Sequence, residues 1–396
     1  MEELAYKLLK DIYGYSEFKP NQLEIIKTVV AGNDCISLLP TGFGKSLTFI
    51  LSSCILPALT IVISPLISLM NDQKKELDCL GIDAVVLHSN LTKIELNLAY
   101  KKILNNQVKI IYLAPERLLN KEFKNVIKDK DISLIAVDEA HTILWGESFR
   151  GAFFNISNFI DSLKKRPTIL AVTATATTDT IDIIKKELKI KNCKIIKASM
   201  VRDNIVYNVI NTNKKLDFLY QYLDKYKDDK VIIYCLTRKK VEEVFEKLIN
   251  YKVCMYHGGM ENSDKINNQI SFTKGEKNVM VCTNAFGMGI NISDIRHVIH
   301  YDIPSSLEDF AQQSGRAARD GKMASEVVLF NFTDIKIIRS FINNLDKDKK
   351  LKEKKKVDQV VDFCLYKGCR HQYLARYFGE RVNKCNFLCD NCRKYA

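Results

Sequence analysis

Residues 39–46 read Leu-Pro-Thr-Gly-Phe-Gly-Lys-Ser and stand between a short apolar run and a helical pattern. In a phosphate-binding loop, glycines free backbone N–H groups to cradle phosphates, a lysine reaches the β and γ oxygens, and the next hydroxyl binds Mg²⁺. Leu39 occupies the place of the first glycine in the strict pattern, so a plain strand-to-helix turn is the alternative. The candidate nucleotide-binding residues of this loop are Thr41, Gly42, Gly44, Lys45 and Ser46.

A second pattern, Val-Asp-Glu-Ala-His at residues 137–141, follows a continuous apolar run. Such a run predicts a buried parallel strand, and open α/β sheets bind ligands at the carboxyl ends of their strands. Asp138 is therefore a candidate Mg²⁺ ligand, Glu139 can orient the attacking water, and His141 joins the catalytic candidates. Because two independent patterns occur in the right order, we interpret them as two halves of one nucleoside-triphosphate site.

The composition favours a polyanionic partner. The 396 residues carry a formal net charge of +13, and the sequence pI is about 9.0. An AT-rich coding bias is the alternative source of the many lysines. No run reaches the ~18–20 apolar residues that span a bilayer, and the amino terminus has no signal-peptide core. We expect an intracellular protein with no membrane contact, and the sequence does not distinguish nucleus, nucleoid and cytoplasm.

Short apolar runs alternate with helical patterns, which is typical of parallel sheets with crossover helices. The expected strands of the first domain are Cys35–Leu39, Thr60–Ser64, Lys109–Leu113, Ser133–Val137 and Ile169–Thr173. Those of the second are Val231–Cys235, Val253–His257, Val279–Thr283, His297–Tyr301 and Glu326–Phe330. We predict two α/β domains, residues 1–200 and 201–340, and a helical module over residues 341–396. The charge run from Asp346 to Lys356 fits a solvated face or a linker.

Four cysteines near the carboxyl end have metal-ligand spacing. Cys369, Cys385, Cys389 and Cys392 can supply four thiolates to one tetrahedral Zn²⁺. Buried inert thiols are the alternative. The other eight cysteines stand singly in apolar surroundings, and we expect them to be buried: Cys35, Cys54, Cys79, Cys193, Cys235, Cys254, Cys282 and Cys364.

The order of these motifs resembles the RecQ family of superfamily 2 DNA helicases over nearly the whole chain. Similar family motifs are Tyr13-Gly14-Tyr15 with Phe18-Lys19-Pro20 and Gln22, Ser64-Pro65-Leu66 with Asp72-Gln73, Ala114-Pro115-Glu116-Arg117, Thr173-Ala174-Thr175, Thr283 with Phe286-Gly287-Met288-Gly289, and residues 312–321. The resemblance implies two tandem RecA-like domains followed by a zinc-binding module. It also implies that Tyr15, Lys19 and Gln22 recognise adenine.

For catalysis, the resemblance implies an ATP-driven inchworm that moves 3′ to 5′ on single-stranded DNA and unwinds duplexes in repair, recombination or replication. Closure on ATP would bring Arg319 and Arg316, in the motif that also contains Gln312, to the transferring phosphoryl group. Surface arginine pairs more often belong to solvated helix faces.

An aromatic-rich segment at residues 145–150 resembles the loop that couples DNA binding to hydrolysis in this family. Its candidate coupling residues are Trp145, Phe149 and Arg150. Bases stack on such aromatic rings without regard to their sequence. A packed aromatic cluster is the alternative interpretation.

We expect an ATP-dependent DNA helicase that uses ATP, Mg²⁺ and Zn²⁺ and binds single-stranded and tailed duplex DNA; the sequence identifies no protein partners. Two rivals stay open: an RNA helicase, and a zinc-stabilised DNA-binding adaptor with a vestigial motor. Many RecQ proteins continue into a winged-helix domain and a further helical domain. Because neither follows residue 396 in this sequence, we expect a minimal core.

Overall fold

The computed structural model describes residues 1–144, 155–174, 176–190, 192–287, 292–344 and 346–394. The chain divides into two compact units, Met1–Ser199 and Met200–Ala396. The described strands form one parallel sheet in each unit, with seven strands in the first and six in the second. This architecture confirms the predicted α/β class.

The first unit alternates strands and helices along its length. Its elements are α1 (Glu2–Tyr13), α2 (Gln22–Val30), β1 (Asp34–Leu38), α3 (Lys45–Ile55), β2 (Leu59–Ile63), α4 (Ile67–Cys79), β3 (Ala84–Leu87), α5 (Lys93–Leu104), β4 (Ile110–Leu113), a 3₁₀ helix (Pro115–Leu119), α6 (Lys121–Ile127), β5 (Ile132–Val137), a 3₁₀ helix (Ala140–Leu144), β6 (Thr168–Thr173), α7 (Thr178–Glu187) and β7 (Cys193–Lys197). Residues 155–161 are also helical.

The strand order of the first sheet is β3-β4-β2-β5-β6-β1-β7. Alternate residues of β1 pack on opposite faces: Ile36 and Leu38 belong to one hydrophobic cluster, and Cys35 belongs to the other. Burial on both faces explains why the strands are continuous apolar runs. Because β6 lies between β1 and β5, the segments that leave these three strands emerge side by side at one edge of the sheet.

The second unit is built in the same way and then becomes helical. Its elements are β8 (Ile205–Asn211), α8 (Lys215–Lys225), β9 (Lys230–Tyr234), α9 (Arg238–Lys247), β10 (Val253–Tyr256), α10 (Asn262–Lys274), β11 (Val279–Cys282), β12 (Ile295–His300), α11 (Leu307–Ser314), β13 (Ala324–Phe330), α12 (Phe332–Asn343), α13 (Lys347–Leu365), α14 (Arg370–Tyr377) and α15 (Asp390–Arg393). The strand order is β10-β11-β9-β12-β13-β8.

The carboxyl-terminal segment covers the β8 edge of this second sheet. The Tyr207 N–H donates to the carbonyl of Leu388 at 3.0 Å, and the Val209 N–H donates to the Asp390 carboxylate at 3.2 Å. Tyr207 also shares a hydrophobic cluster with Leu374 and Cys389. The cysteine-rich segment is therefore packed into the second unit.

The ten predicted strands agree with the observed ones to within two residues. Strands β3, β7 and β8 were not predicted, and each lies at the edge of its sheet. None of the described helices combines the length and the apolar character needed to cross a membrane.

The eight cysteines outside the metal-ligand set were all predicted to be buried, and the structure confirms this for five of them. Five of them are buried: Cys35, Cys235, Cys254, Cys282 and Cys364. Cys54 and Cys193 are only partly buried. The prediction was wrong for Cys79, which is exposed because it lies outside the face of α4 that buries Met70 and Leu77.

Candidate functional site

The loop between β1 and α3 has the backbone of a phosphate cradle. Gly42 and Gly44 have φ angles of 85° and 70°, a left-handed conformation that residues with a Cβ adopt only with strain. Gly44 is the N-cap of α3, whose first residue is Lys45. The free N–H groups and positive dipole end of this helix therefore face the loop, where an anion is favoured.

Gln22 braces this loop from α2. Its side-chain Nε2 donates to the carbonyl of Phe43 at 2.8 Å, and its Oε1 accepts from the Lys19 N–H at 2.9 Å. A Cβ built on Gly44 would lie 2.6 Å from the Gln22 Nε2. The amide that the family pattern assigns to adenine is buried and bonded to the loop, and its contact with a base stays a prediction.

Replacing Gly44 with alanine should damage the loop in two ways. The left-handed backbone would cost about 1–2 kcal/mol, and the new Cβ would displace the Gln22 side chain. We expect a lower melting temperature and a raised KM for ATP. Gly81→Ala is the matched control, because its φ is also 70° but a Cβ added there would meet no atom within 4 Å. Equal effects of the two substitutions would show that the Gln22 contact is unimportant.

The acidic pair follows β5 at the edge of the sheet. Lys45 Nζ lies 3.3 Å from Glu139 Oε1, and the Glu139 N–H donates to Asp138 Oδ1 at 2.9 Å. Glu139 has a φ of 47°, and such strain is concentrated at functional sites. Burial, and then the charge of Glu139, raise the pKa of Asp138 to about 7 against the opposing effect of Lys45.

His141 links this acidic pair to the next strand. Its Nδ1 lies 2.9 Å from the Thr173 hydroxyl at the end of β6 and 3.4 Å from Glu139 Oε2. The structure thus brings Lys45, Glu139, His141 and Thr173 into one cluster. Polar contacts of 2.9 to 3.4 Å link these four side chains.

Mg²⁺ fits the oxygen donors beside this cluster. Ser46 Oγ accepts from Gln73 Nε2 at 2.7 Å, which fixes the hydroxyl, and Asp138 is only 4% exposed. A buried carboxylate is destabilised as an anion unless a cation is close. Hard oxygen donors of this kind suit Mg²⁺. The sequence places Gln73 in a family motif with Asp72, and in the structure its side chain contacts the loop serine.

The other predicted nucleotide-binding residues lie around the loop. Tyr15 is exposed and stacks on Tyr13, with ring centroids 6.1 Å apart and planes 5° apart. Lys19 Nζ donates to the carbonyl of Gly42 at 2.8 Å, and Thr41 is half-buried within the loop. Tyr15 therefore offers an open aromatic face, while Lys19 is attached to the loop itself.

In the second unit, the predicted arginines follow α11. The Arg316 guanidinium is buried and donates to the carbonyl of Gly287. Arg319 is half-buried, with its Nε donating to the Gly315 carbonyl at 3.3 Å, and Gln312 is half-buried on α11. Arg316 thus joins the Gly287 loop to the turn that contains Arg319.

Sequence reasoning gave no role to Arg238, which follows β9 in the second unit. This exposed side chain lies against two glycines after β10: a Cβ on Gly259 would be 3.1 Å from Arg238 Nη1, and one on Gly258 would be 3.4 Å from Nη2. The sequence does contain a signal for this contact. Arg238 comes soon after the predicted strand Val231–Cys235, and Gly258-Gly259 directly follows the predicted strand Val253–His257. Together they place a guanidinium at the carboxyl edge of the second sheet.

The four predicted zinc ligands converge. The sulfur atoms of Cys369, Cys385, Cys389 and Cys392 all lie within 4.8 Å of one another. Tetrahedral Zn–S bonds of ~2.3 Å require sulfur separations of about 3.8 Å, so the set fits one Zn²⁺. Cys369 precedes α14 and Cys389 precedes α15, and this brings both helix starts to the site.

Polar contacts stabilise the segments that carry these four cysteines. Arg370 binds the Asp390 carboxylate with Nε at 2.6 Å and Nη2 at 2.9 Å, although it is only 3% exposed. Burial acts to raise the pKa of Cys369, but the N–H groups of Cys385 and Gln372 and contacts with the Cys385 and Cys392 thiols together lower it. Burial raises the pKa of Cys385 and of Cys392. A thiol with a lowered pKa more readily becomes the thiolate that binds zinc.

Several predicted residues lie outside the described part of the chain. They are Trp145, Phe149 and Arg150 of the coupling loop, Thr175 of the Thr173 motif, and Met288 and Gly289 of the Phe286 motif. Their roles stay predictions.

Three family models match the chain in succession. Residues 19–184 match the DEAD/DEAH box helicase model, residues 214–321 match the helicase conserved C-terminal domain, and residues 332–393 match the RecQ zinc-binding model. The first model covers strands β1 to β6, the second covers β9 to β12, and the third covers the four cysteines.

Relatives extend over almost the whole chain. It is 36% identical to an ATP-dependent DNA helicase RecQ of Bacillus subtilis, over 98% of this chain and 66% of that protein. It is 39% identical to a putative ATP-dependent RNA helicase of Acanthamoeba polyphaga mimivirus, over 98% of this chain and 71% of that protein. The chain thus spans about two thirds of the length of these relatives.

Among solved structures, yeast Dbp5 bound to RNA and ADP BeF3 has a TM-score of 0.69 at 18% identity, covering 91% of this chain and 99% of that one. This likeness shows the fold: two tandem RecA-like domains. The match to the RecQ zinc-binding model and the similarity to RecQ relatives identify the family. The chain belongs to the RecQ family of helicases, as its motifs indicated.

Proposed function

We propose that this chain is an ATP-dependent DNA helicase that moves 3′ to 5′ along single-stranded DNA and separates duplexes in genome maintenance. The observation that carries the proposal is the cluster of Lys45, Glu139, His141 and Thr173. Its residues come from the phosphate-binding loop, the acidic motif and the motif after β6, and they touch through contacts of 2.9 to 3.4 Å. A vestigial motor would not need to keep all of these groups in contact.

In the proposed reaction, the Lys45 ammonium binds the β and γ phosphate oxygens of ATP. This releases Glu139 from its ion pair, so that its carboxylate can orient the attacking water. His141 contacts both Glu139 and Thr173. A movement of the Glu139 carboxylate would therefore move His141 and, through it, Thr173 at the end of β6. Mg²⁺ held by Ser46 and Asp138 would supply positive charge to the phosphates.

Further roles rest on the family pattern. Gln312, Arg316 and Arg319 are assigned to catalysis in the second unit, and Trp145, Phe149 and Arg150 are assigned to DNA coupling. Tyr15, Lys19 and Gln22 are assigned to adenine. We also keep residues 1–200 and 201–340 as the two motor domains and residues 341–396 as the zinc-binding module.

An RNA helicase is the second candidate, since the mimivirus relative bears that name. Proteins distinguish RNA from DNA chiefly by the 2′-hydroxyl and the form of the helix. The proposal of DNA as substrate follows the RecQ relatives, which are named DNA helicases.

Strand-separation assays on matched substrates test the proposal. Duplexes with a 3′ tail, a 5′ tail or no tail, made as DNA and as RNA, are incubated with ATP and Mg²⁺. We expect unwinding of 3′-tailed DNA. Preference for 5′ tails would reverse the polarity, and preference for RNA would establish the second candidate. No separation of any substrate would reduce the activity to a nucleic-acid-stimulated ATPase.

A further inference from the structure

The first half of α13 is the most basic segment of the described chain that the proposed function leaves unused. Residues 347–356 read Lys-Asp-Lys-Lys-Leu-Lys-Glu-Lys-Lys-Lys, with seven lysines and two acidic residues. We call these residues the basic segment. They form a continuous helix with the nine residues that follow.

The two halves of α13 have opposite surroundings. Val357, Val360 and Phe363 in the second half are each 1% exposed and belong to the core of the second unit. Most described side chains of the basic segment are exposed, and Leu351 is 72% exposed. The buried half therefore anchors a helical arm whose charged half is presented to solvent.

This distribution of charge is unfavourable for the isolated protein. Lysines at positions 350 and 354, and at 352 and 356, stand four residues apart on the helix, where like charges repel. Lys347, Lys349 and Lys350 lie in the first turn of the helix, where the dipole disfavours cations. The ion pairs of this segment include Lys349 with Asp346 at 3.8 Å and Lys356 with Glu353 at 2.7 Å. The seven lysines exceed the two acidic residues of the segment by five charges, which a bound polyanion would balance.

We propose that the basic segment binds the phosphate backbone of duplex DNA, a role that rests on the proposed function because the duplex is what the motor would unwind. The segment has no aromatic residue on which unpaired bases could stack. Ten helical residues extend over about 15 Å, and duplex DNA presents one charge per roughly 1.7 Å of its axis. Several lysines can thus face phosphates at once. Contacts of this kind position a duplex without reading its sequence.

A triple substitution tests this surface. Lys347, Lys350 and Lys354 lie on one side of the helix, and glutamine keeps the helical propensity while it removes three charges. The matched control is Lys227→Gln, Lys274→Gln and Lys277→Gln, three exposed lysines in loops or at a helix end before β9 and β11. Both variants change the net charge equally. Affinity for a short blunt duplex and for a single strand of equal length is measured over a series of salt concentrations.

We expect the triple variant to lose duplex affinity, and the slope of log K against log salt to fall by roughly 2 to 3, since each lost phosphate contact contributes about 0.9. Single-strand affinity and single-strand-stimulated ATP hydrolysis should match those of the control. An equal loss in the control, an equal loss on single strands, or an unchanged duplex slope would overturn the proposal and leave a solvated helix face. Absence of stimulated ATP hydrolysis in the parent protein would instead count against the proposed function.

Discussion

Lys45→Ala should reduce DNA-stimulated ATP hydrolysis by about a thousandfold, the scale of losing one preorganised charge-stabilising donor. Lys45 is the first residue of α3, where the phosphate-binding loop ends. Its Nζ lies 3.3 Å from Glu139 Oε1. Alanine removes the ammonium and leaves the loop backbone unchanged. Phosphate release, measured with saturating single-stranded DNA, gives the rate.

Two further variants separate catalysis from general damage. Lys164→Ala breaks an exposed pair with Asp129 and should leave the rate unchanged. Glu139→Gln should still bind a fluorescent ATP analogue but turn it over very slowly, because the amide keeps the size of the side chain and loses the carboxylate that orients water. A Lys45→Ala or Glu139→Gln protein that hydrolyses ATP near the parent rate would disprove this site.

Cys389→Ser should remove the bound zinc and unfold the carboxyl-terminal segment. Cys389 is fully buried, and its neighbours Leu388 and Asp390 bond to β8. Zinc binding contributes about 10–16 kcal/mol to the folding of small peptide sites, so loss of one thiolate should also expose the β8 edge. We expect about one zinc per chain in the parent and much less in the variant, measured by metal analysis, with a clearly lower melting temperature.

Other cysteines of this chain provide the controls. Cys79→Ser changes an exposed thiol and should alter neither zinc content nor stability. Cys364→Ser changes a buried thiol that lies outside the sulfur cluster, so it should keep the zinc even if stability falls. Zinc loss from Cys364→Ser, or a zinc-free parent protein that is stable and active, would contradict the ligand assignment.

Where the chain's features are local in sequence, the sequence alone was enough to predict them. The loop at residues 39–46, the Asp138-Glu139 pair and the buried strands are each encoded by a few neighbouring residues, since glycine, charge and apolar runs dictate backbone and burial. The edge strands β7 and β8 were missed because they are only partly buried, so polar residues interrupt their apolar pattern. Edge position alone does not explain the miss at β3, which is fully buried, since the edge strand β10 was predicted.

Contacts between distant residues needed the tertiary structure. Gln22 braces the loop at Phe43, His141 meets Thr173, and the segment around Cys389 pairs with Tyr207. The sequence determined the parallel α/β class, the nucleotide-binding motifs and the cysteine set. Only the tertiary structure decided which side chains touch, because strand order brings together segments that no local pattern connects.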